Sequence, residues 1–119
     1  MSTIKRIGTE ANPNMSAANV YNGVVYLRGL TDPSGRDLVS QTKNNLAEAD
    51  RLLAEAGTDK SRLLTADIWL KDAQSGYGPM NAIWASWIDP NNKPTRTCVQ
   101  ADLASPGLLV EIQLTAALP

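Results

Sequence analysis

At 119 residues, 43% of them hydrophobic, the chain has the size of one globular domain that buries a core without disulfides or a structural metal. Its formal net charge of −1, from 11 basic and 12 acidic residues interspersed rather than blocked, leaves no electrostatic footprint for nucleic acid or an anionic membrane surface. A single cysteine, Cys98, excludes an internal disulfide, the start Met1-Ser2-Thr3-Ile4-Lys5-Arg6 lacks the apolar core of a signal peptide, and no apolar run approaches the roughly 20 residues that cross a bilayer, so a cytoplasmic location is expected.

Ile4-Lys5-Arg6-Ile7 and Ala18-Asn19-Val20-Tyr21 are weak strand candidates, and Asn22-Gly23 is a tight-turn signal before the stronger run from Val24 to Gly29. From Asp37 to Ala56 the positions Val39, Thr42, Leu46, Ala49, Leu53 and Ala56 recur at steps of three and four, while Lys43, Asn44, Asp50 and Arg51 fall off that stripe. This predicts an amphipathic helix that Gly57 terminates. A strand follows from Leu64 to Lys71. A second helix is expected to begin at Gly78-Pro79, where proline suits the first turn, with Met80, Ile83, Trp84 and Trp87 on one face and Asp89-Pro90 as the stop. The runs from Thr95 to Leu103 and Leu108 to Ala117, separated by Pro106-Gly107, close the chain as strands. With no repeat and no linker, residues 1–119 form one α+β domain of order β-β-β-α-β-α-β-β, a single mixed sheet with two helices on one face.

Strand alternation sorts side chains between the two sheet faces. Val25, Leu27, Ile68, Leu70, Val99, Val110, Ile112 and Leu114 are assigned to the helix-covered face. Tyr26, Arg28, Asp67, Trp69, Arg96, Cys98, Gln100, Leu109, Glu111 and Gln113 are assigned to the other. On this assignment a guanidinium, a thiol and a carboxylate share one surface, a candidate small-anion site. Such a face is too apolar for simple solvation and too polar for a monomer's interior, so a homo-oligomer is expected, its interface enclosing or bordering a polar pocket.

Met80-Asn81-Ala82-Ile83-Trp84, Lys93-Pro94-Thr95-Arg96-Thr97-Cys98-Val99 and Val110-Glu111-Ile112, in this order of elements, resemble the RidA/YjgF family of reactive imine/enamine deaminases. The resemblance implies a chorismate-mutase-like fold assembled as a homotrimer with clefts between subunits. It implies hydrolysis of 2-imino acids to 2-oxo acids and ammonia without a cofactor or metal. By the same resemblance Arg96 matches the arginine that binds the substrate carboxylate, Glu111 the glutamate that positions water, Cys98 a pocket-lining cysteine and Asn81 a helix asparagine of the site. The chain departs from active members at Arg28, where they carry a pocket serine, and near Met15 and Ser16, where they carry a tyrosine. Two consequences of Arg28 are open: a second guanidinium that selects a dicarboxylate, or an ion pair with Glu111 that removes the base.

Each site residue also has a plainer reading. Arg96 serves equally as an interface ion-pair donor, Glu111 as its structural partner or that of Arg28, Cys98 as a small buried apolar residue with no histidine to activate it, and Trp84 and Trp87 as core. Two functional alternatives accompany deamination. One is a non-catalytic binder or sensor of small carboxylates on the same fold. The other, an endoribonuclease, is disfavoured by the absence of histidine and of any basic stripe to neutralise phosphates.

Overall fold

The computed structural model describes residues 3–119. Strands β1 (Lys5–Ile7), β2 (Ala18–Tyr21) and β3 (Val24–Leu27) form an antiparallel meander, with helix α1 (Leu38–Ala56) following. Strand β4 (Leu63–Leu70), helix α2 (Ala73–Trp87) and strand β5 (Thr95–Gln100) form a parallel crossover unit, and β6 (Val110–Ala117) completes the sheet. The order across the sheet is β1-β2-β3-β6-β4-β5, so the last strand enters between β3 and β4 and pairs antiparallel with both. The expected element order and the single mixed sheet are both present. No helix among the described residues is long and apolar enough to cross a membrane.

Helix α1 is fixed at both ends by local chemistry. Asp37 caps its first turn, accepting from the Ser40 backbone N–H at 2.8 Å while the Ser40 hydroxyl reaches back to the Asp37 N–H. At the other end Gly57 takes the left-handed conformation, φ 94°, that a C-terminal stop of this kind requires. Thr42, Leu46, Ala49, Leu53 and Ala56 are buried as the period predicts, joined by Gln41, Asn45 and Leu52. Val39 departs from the expected stripe and is exposed.

Helix α2 starts earlier than Gly78-Pro79. Asp72 is its N-cap, accepting from the Gln74 and Ser75 N–H groups, so the helix begins at Ala73 and Pro79 lies inside it. A proline there has no N–H to bond the carbonyl four residues back and costs about 3 kcal/mol relative to alanine. Burial of Met80 and Trp84 against the sheet holds the helix together across this fault. Gly76 permits the approach, since a Cβ there would lie 3.2 Å from Leu38 Cδ2 on α1.

The core between sheet and helices contains Val25, Leu27, Ile68, Leu70, Val110, Ile112 and Leu114, all assigned to that side from alternation. Strand β5 departs from its expected faces throughout: Val99 is expected on the helix side and Arg96, Cys98 and Gln100 on the other, and the register exchanges them. The register pairs Ile68 with both Cys98 and Ile112, and pairs Trp69 with both Val99 and Glu111. Cross-strand partners point to the same side, so Arg96 and Cys98 lie on the helix side while Val99 and Glu111 lie on the open side. Val99 is accordingly exposed.

Candidate functional site

The residues singled out from sequence fall into two groups, one on each side of the sheet. The first is built by β5 and α2. Arg96 points from β5 towards α2, where its Nη1 donates to Asn81 Oδ1 at 2.8 Å and its Nη2 donates to the Tyr77 hydroxyl at 2.8 Å. Its guanidinium carbon lies 5.7 Å from the Tyr77 ring centroid and 5.6 Å from that of Trp84, within cation–π range of both. Asn81 is thereby placed with Arg96, as expected, and Trp84 is both core and platform.

Tyr77 was not singled out from sequence. It precedes Asn81 by four residues and Trp84 by seven, the spacing of one helix face. A helix beginning at Gly78 leaves it outside, and the Asp72 cap is the signal that brings it in.

Cys98 is two residues further along β5 and is partly buried. Burial pushes its thiol pKa up, and the nearby Arg96 charge only partly opposes this. The thiol stays protonated near neutral pH, which suits a pocket wall better than a nucleophile. Gln100 is used locally, its side-chain oxygen accepting from the Ala73 N–H at 2.8 Å at the start of α2.

The second group surrounds Glu111. Strand β3 ends at Leu27, and beyond it only a bridge between Leu30 and Ile112 continues the pairing with β6. A cavity of about 630 Å³ opens beside that gap, lined in part by Met15, Arg28, Gly29, Glu48, Leu108 and Glu111. The Glu111 carboxylate packs directly on Gly29, so closely that a Cβ at that position would overlap Oε2.

Arg28, which alternation and resemblance place at this site, does line the cavity. It is not paired with Glu111. Among the described residues the ion pairs are Arg28–Glu48, Arg51–Glu48, Arg51–Glu55 and Lys71–Asp102, so the guanidinium of Arg28 is committed to helix α1. Met15 stands at the rim and is exposed.

Gln41, a residue of no evident function in the sequence, builds this second group from beneath. Fully buried on α1, it donates to the carbonyls of Gly35 and Gly107 and accepts from the Leu109 N–H at 2.8 Å. These bonds stitch the loop before β6 to the loop before α1, two residues upstream of Glu111. Among the described residues no group of three His, Cys, Asp or Glu side chains is arranged to hold a metal ion.

Within one chain, then, the expected sharing of a surface by Arg96 and Glu111 does not occur. The register turns Arg96, with its oriented partners, to one side of the sheet and Glu111 to the other, beside a cavity that α1 also lines.

Comparison with known proteins gives a consistent picture. The family model described as Endoribonuclease L-PSP matches residues 5–118. A RutC family protein of Haemophilus ducreyi is 43% identical over 105 residues, covering 87% of this chain and 88% of that protein. The RutC family protein YoaB of Escherichia coli is 36% identical over 115 residues, with 97% and 98% covered. Among solved structures, NMB1025 from Neisseria meningitidis, a member of the YjgF protein family, superposes with a TM-score of 0.93 at 39% identity, covering 98% of this chain and 96% of that one.

Proposed function

The chain belongs to the RidA/YjgF (RutC) family, and from that footing we propose that it hydrolyses reactive 2-imino and enamino acids to 2-oxo acids and ammonia. The site is completed between copies of a homotrimer, with Arg96 from one subunit meeting Glu111 from its neighbour. The observation that carries this reading is the orientation of Arg96: two of its nitrogens are held by Asn81 and Tyr77, which fixes the plane of the fork and leaves the remaining N–H donors for a substrate carboxylate. Exposed Tyr26 and Val99 on the open face of the sheet support burial there against another copy.

The reaction asks little of the protein. A protonated imine already has an electrophilic carbon, so the requirements are to fix the substrate and to deprotonate a water. The Arg96 fork binds the carboxylate bidentately, each charge-assisted hydrogen bond contributing roughly 1.5–3 kcal/mol. Glu111 accepts a proton from water as its oxygen bonds to the imine carbon and the C=N π electrons pass to nitrogen. The same carboxyl returns the proton to nitrogen; the ionised Glu111 then takes the hydroxyl proton as C=O forms and the C–N bond breaks, its electron pair leaving with ammonia, which gives the 2-oxo acid. General acid–base action of this kind supplies roughly 10²–10⁴-fold.

Two positions support a second reading, a non-catalytic binder of small carboxylates. Met15 has no hydroxyl to offer the pocket, and by the family resemblance Arg28 takes the place of a pocket serine. The two readings separate in one assay. An amino-acid oxidase generates 2-imino acids from a panel of L-amino acids, and semicarbazide traps what survives. Deamination predicts that wild type depletes the imine and that Arg96→Ala does not. Saturable carboxylate binding without depletion would support the binder and overturn the enzyme.

A further inference from the structure

Arg28 and Glu111 line the same cavity, and Glu111 rests on Gly29, the residue next to Arg28. A guanidinium is always charged and has no acceptor, so a carboxylate lining the same cavity is a natural partner for it. Arg28 instead folds away. Its Nη1 donates to the Gly29 carbonyl at 3.1 Å and its Nη2 to Glu48 Oε2 at 3.1 Å. Arg51 grips Glu48 from the next turn of α1, with Nε to Oε1 at 2.7 Å and Nη2 to Oε2 at 2.8 Å. The hydrogen bond from Arg51 first, and then the charges of Arg51 and Arg28, hold the Glu48 carboxyl below its ordinary pKa against the opposing effect of burial.

We infer that Glu48 is a positioning residue: it anchors Arg28 to helix α1 so that Glu111 keeps an unneutralised carboxylate for proton transfer. This rests on the deaminase reading. The charged groups around the cavity are Glu10, Arg28, Glu48, Arg51, Glu55 and Glu111. Glu55 already lies 3.6 Å from Arg51, and Glu10 is exposed and accepts from the Thr9 hydroxyl. Released from Glu48, Arg28 shares the cavity with two carboxylates that are in no ion pair among the described residues, Glu10 and Glu111, and its expected partner is Glu111, which packs on the adjoining Gly29. That pairing would weaken the base.

The test compares wild type, Glu48→Gln, the double variant Glu48→Gln/Arg28→Ser, and Arg51→Gln, which cuts the ion-pair chain on its other side. Each is assayed for hydrolysis of an oxidase-generated 2-imino acid from pH 5 to 9, with a thermal melt to confirm folding. Glu48→Gln is expected to lose about ten- to a hundredfold in kcat/KM, within the range one acid–base group supplies. The double variant is expected to recover activity relative to Glu48→Gln, whereas Arg51→Gln keeps the wild-type pH profile. A Glu48→Gln variant with wild-type rate and profile, or one that the second substitution does not rescue, overturns the inference. A crystal structure of Glu48→Gln decides the point without turnover: Arg28 against Glu111 supports it, and Arg28 in its original place refutes it. Failure of wild type to hydrolyse any imine would refute the deaminase reading separately.

Discussion

Gly29 is a glycine because the Glu111 carboxylate occupies the place of its Cβ. Its expected cost on substitution is functional: in Gly29→Ala the group that must yield is the flexible end of a glutamate, so the fold survives and Glu111 is displaced. We expect a melting temperature within a few degrees of wild type and a loss of about a hundredfold in imine hydrolysis, the scale of one misplaced general base. A variant with intact turnover would show that the position of Glu111 is immaterial. Cys98 offers a second check at this scale. With its pKa raised by burial, the thiolate is the minor form at neutral pH, so alkylation by iodoacetamide should accelerate with pH only above the range of an exposed cysteine. A midpoint below that range would contradict the pocket-wall role. Glu48 has the opposite sign. A carboxyl with a lowered folded-state pKa stabilises the fold above its ordinary range, and the contribution is lost as pH falls through the folded value. The gap in melting temperature between wild type and Glu48→Gln should therefore be widest near neutrality and should close in acid; a gap independent of pH would remove the ion-pair explanation.

Among the elements, helix α1 was almost fully legible. Its three-four period, its Asp37 start and its Gly57 stop are strong local signals, and only Val39 was placed on the wrong face. Helix α2 was legible from Met80 onward. Its first turns were hidden because Gly76, Gly78 and Pro79 read as a loop, and burial of Gly76, Met80 and Trp84 overrides that low propensity. The face of β5 is not legible in the sequence. As an edge strand with polar groups on both sides, Thr95–Gln100 alternates without saying which side is inside, and Val99 is its most apolar residue. Only the pairing of Ile68 with Cys98 settles it, and that pairing joins residues 30 apart in sequence. Arg96 and Asn81 are legible in the sequence, and Tyr77 follows once Asp72 is taken as the helix cap, but the separation of Arg96 from Glu111 is not. Gln41 was equally invisible, since its role depends on three backbone groups from loops distant in the chain. Gln41→Leu keeps the side-chain size and leaves those two carbonyls and one N–H unpaired, which should cost about 3 kcal/mol in denaturant unfolding. A loss below about 1 kcal/mol would mean that the loops find other partners or water.

For the whole molecule, the sheet divides the chemistry. Arg96 faces α2, whereas Glu111 alternates to the opposite side of β6 and borders a cavity that Arg28, Gly29 and α1 also line, so the two side chains do not meet within one chain. In the proposed trimer, closed rotational symmetry would bring them together, each copy offering Arg96 to one neighbour and Glu111 to the other. The most direct measurement is subunit complementation. Arg96→Ala and Glu111→Gln are prepared separately, shown to be inactive, then mixed in equal amounts under conditions in which mass spectrometry confirms subunit exchange. Random mixing of a trimer with shared sites places both native residues together in about a quarter of all clefts, so the account predicts recovery of about a quarter of wild-type imine hydrolysis. Exchanged assemblies that remain inactive would contradict a site built from Arg96 of one copy and Glu111 of the next.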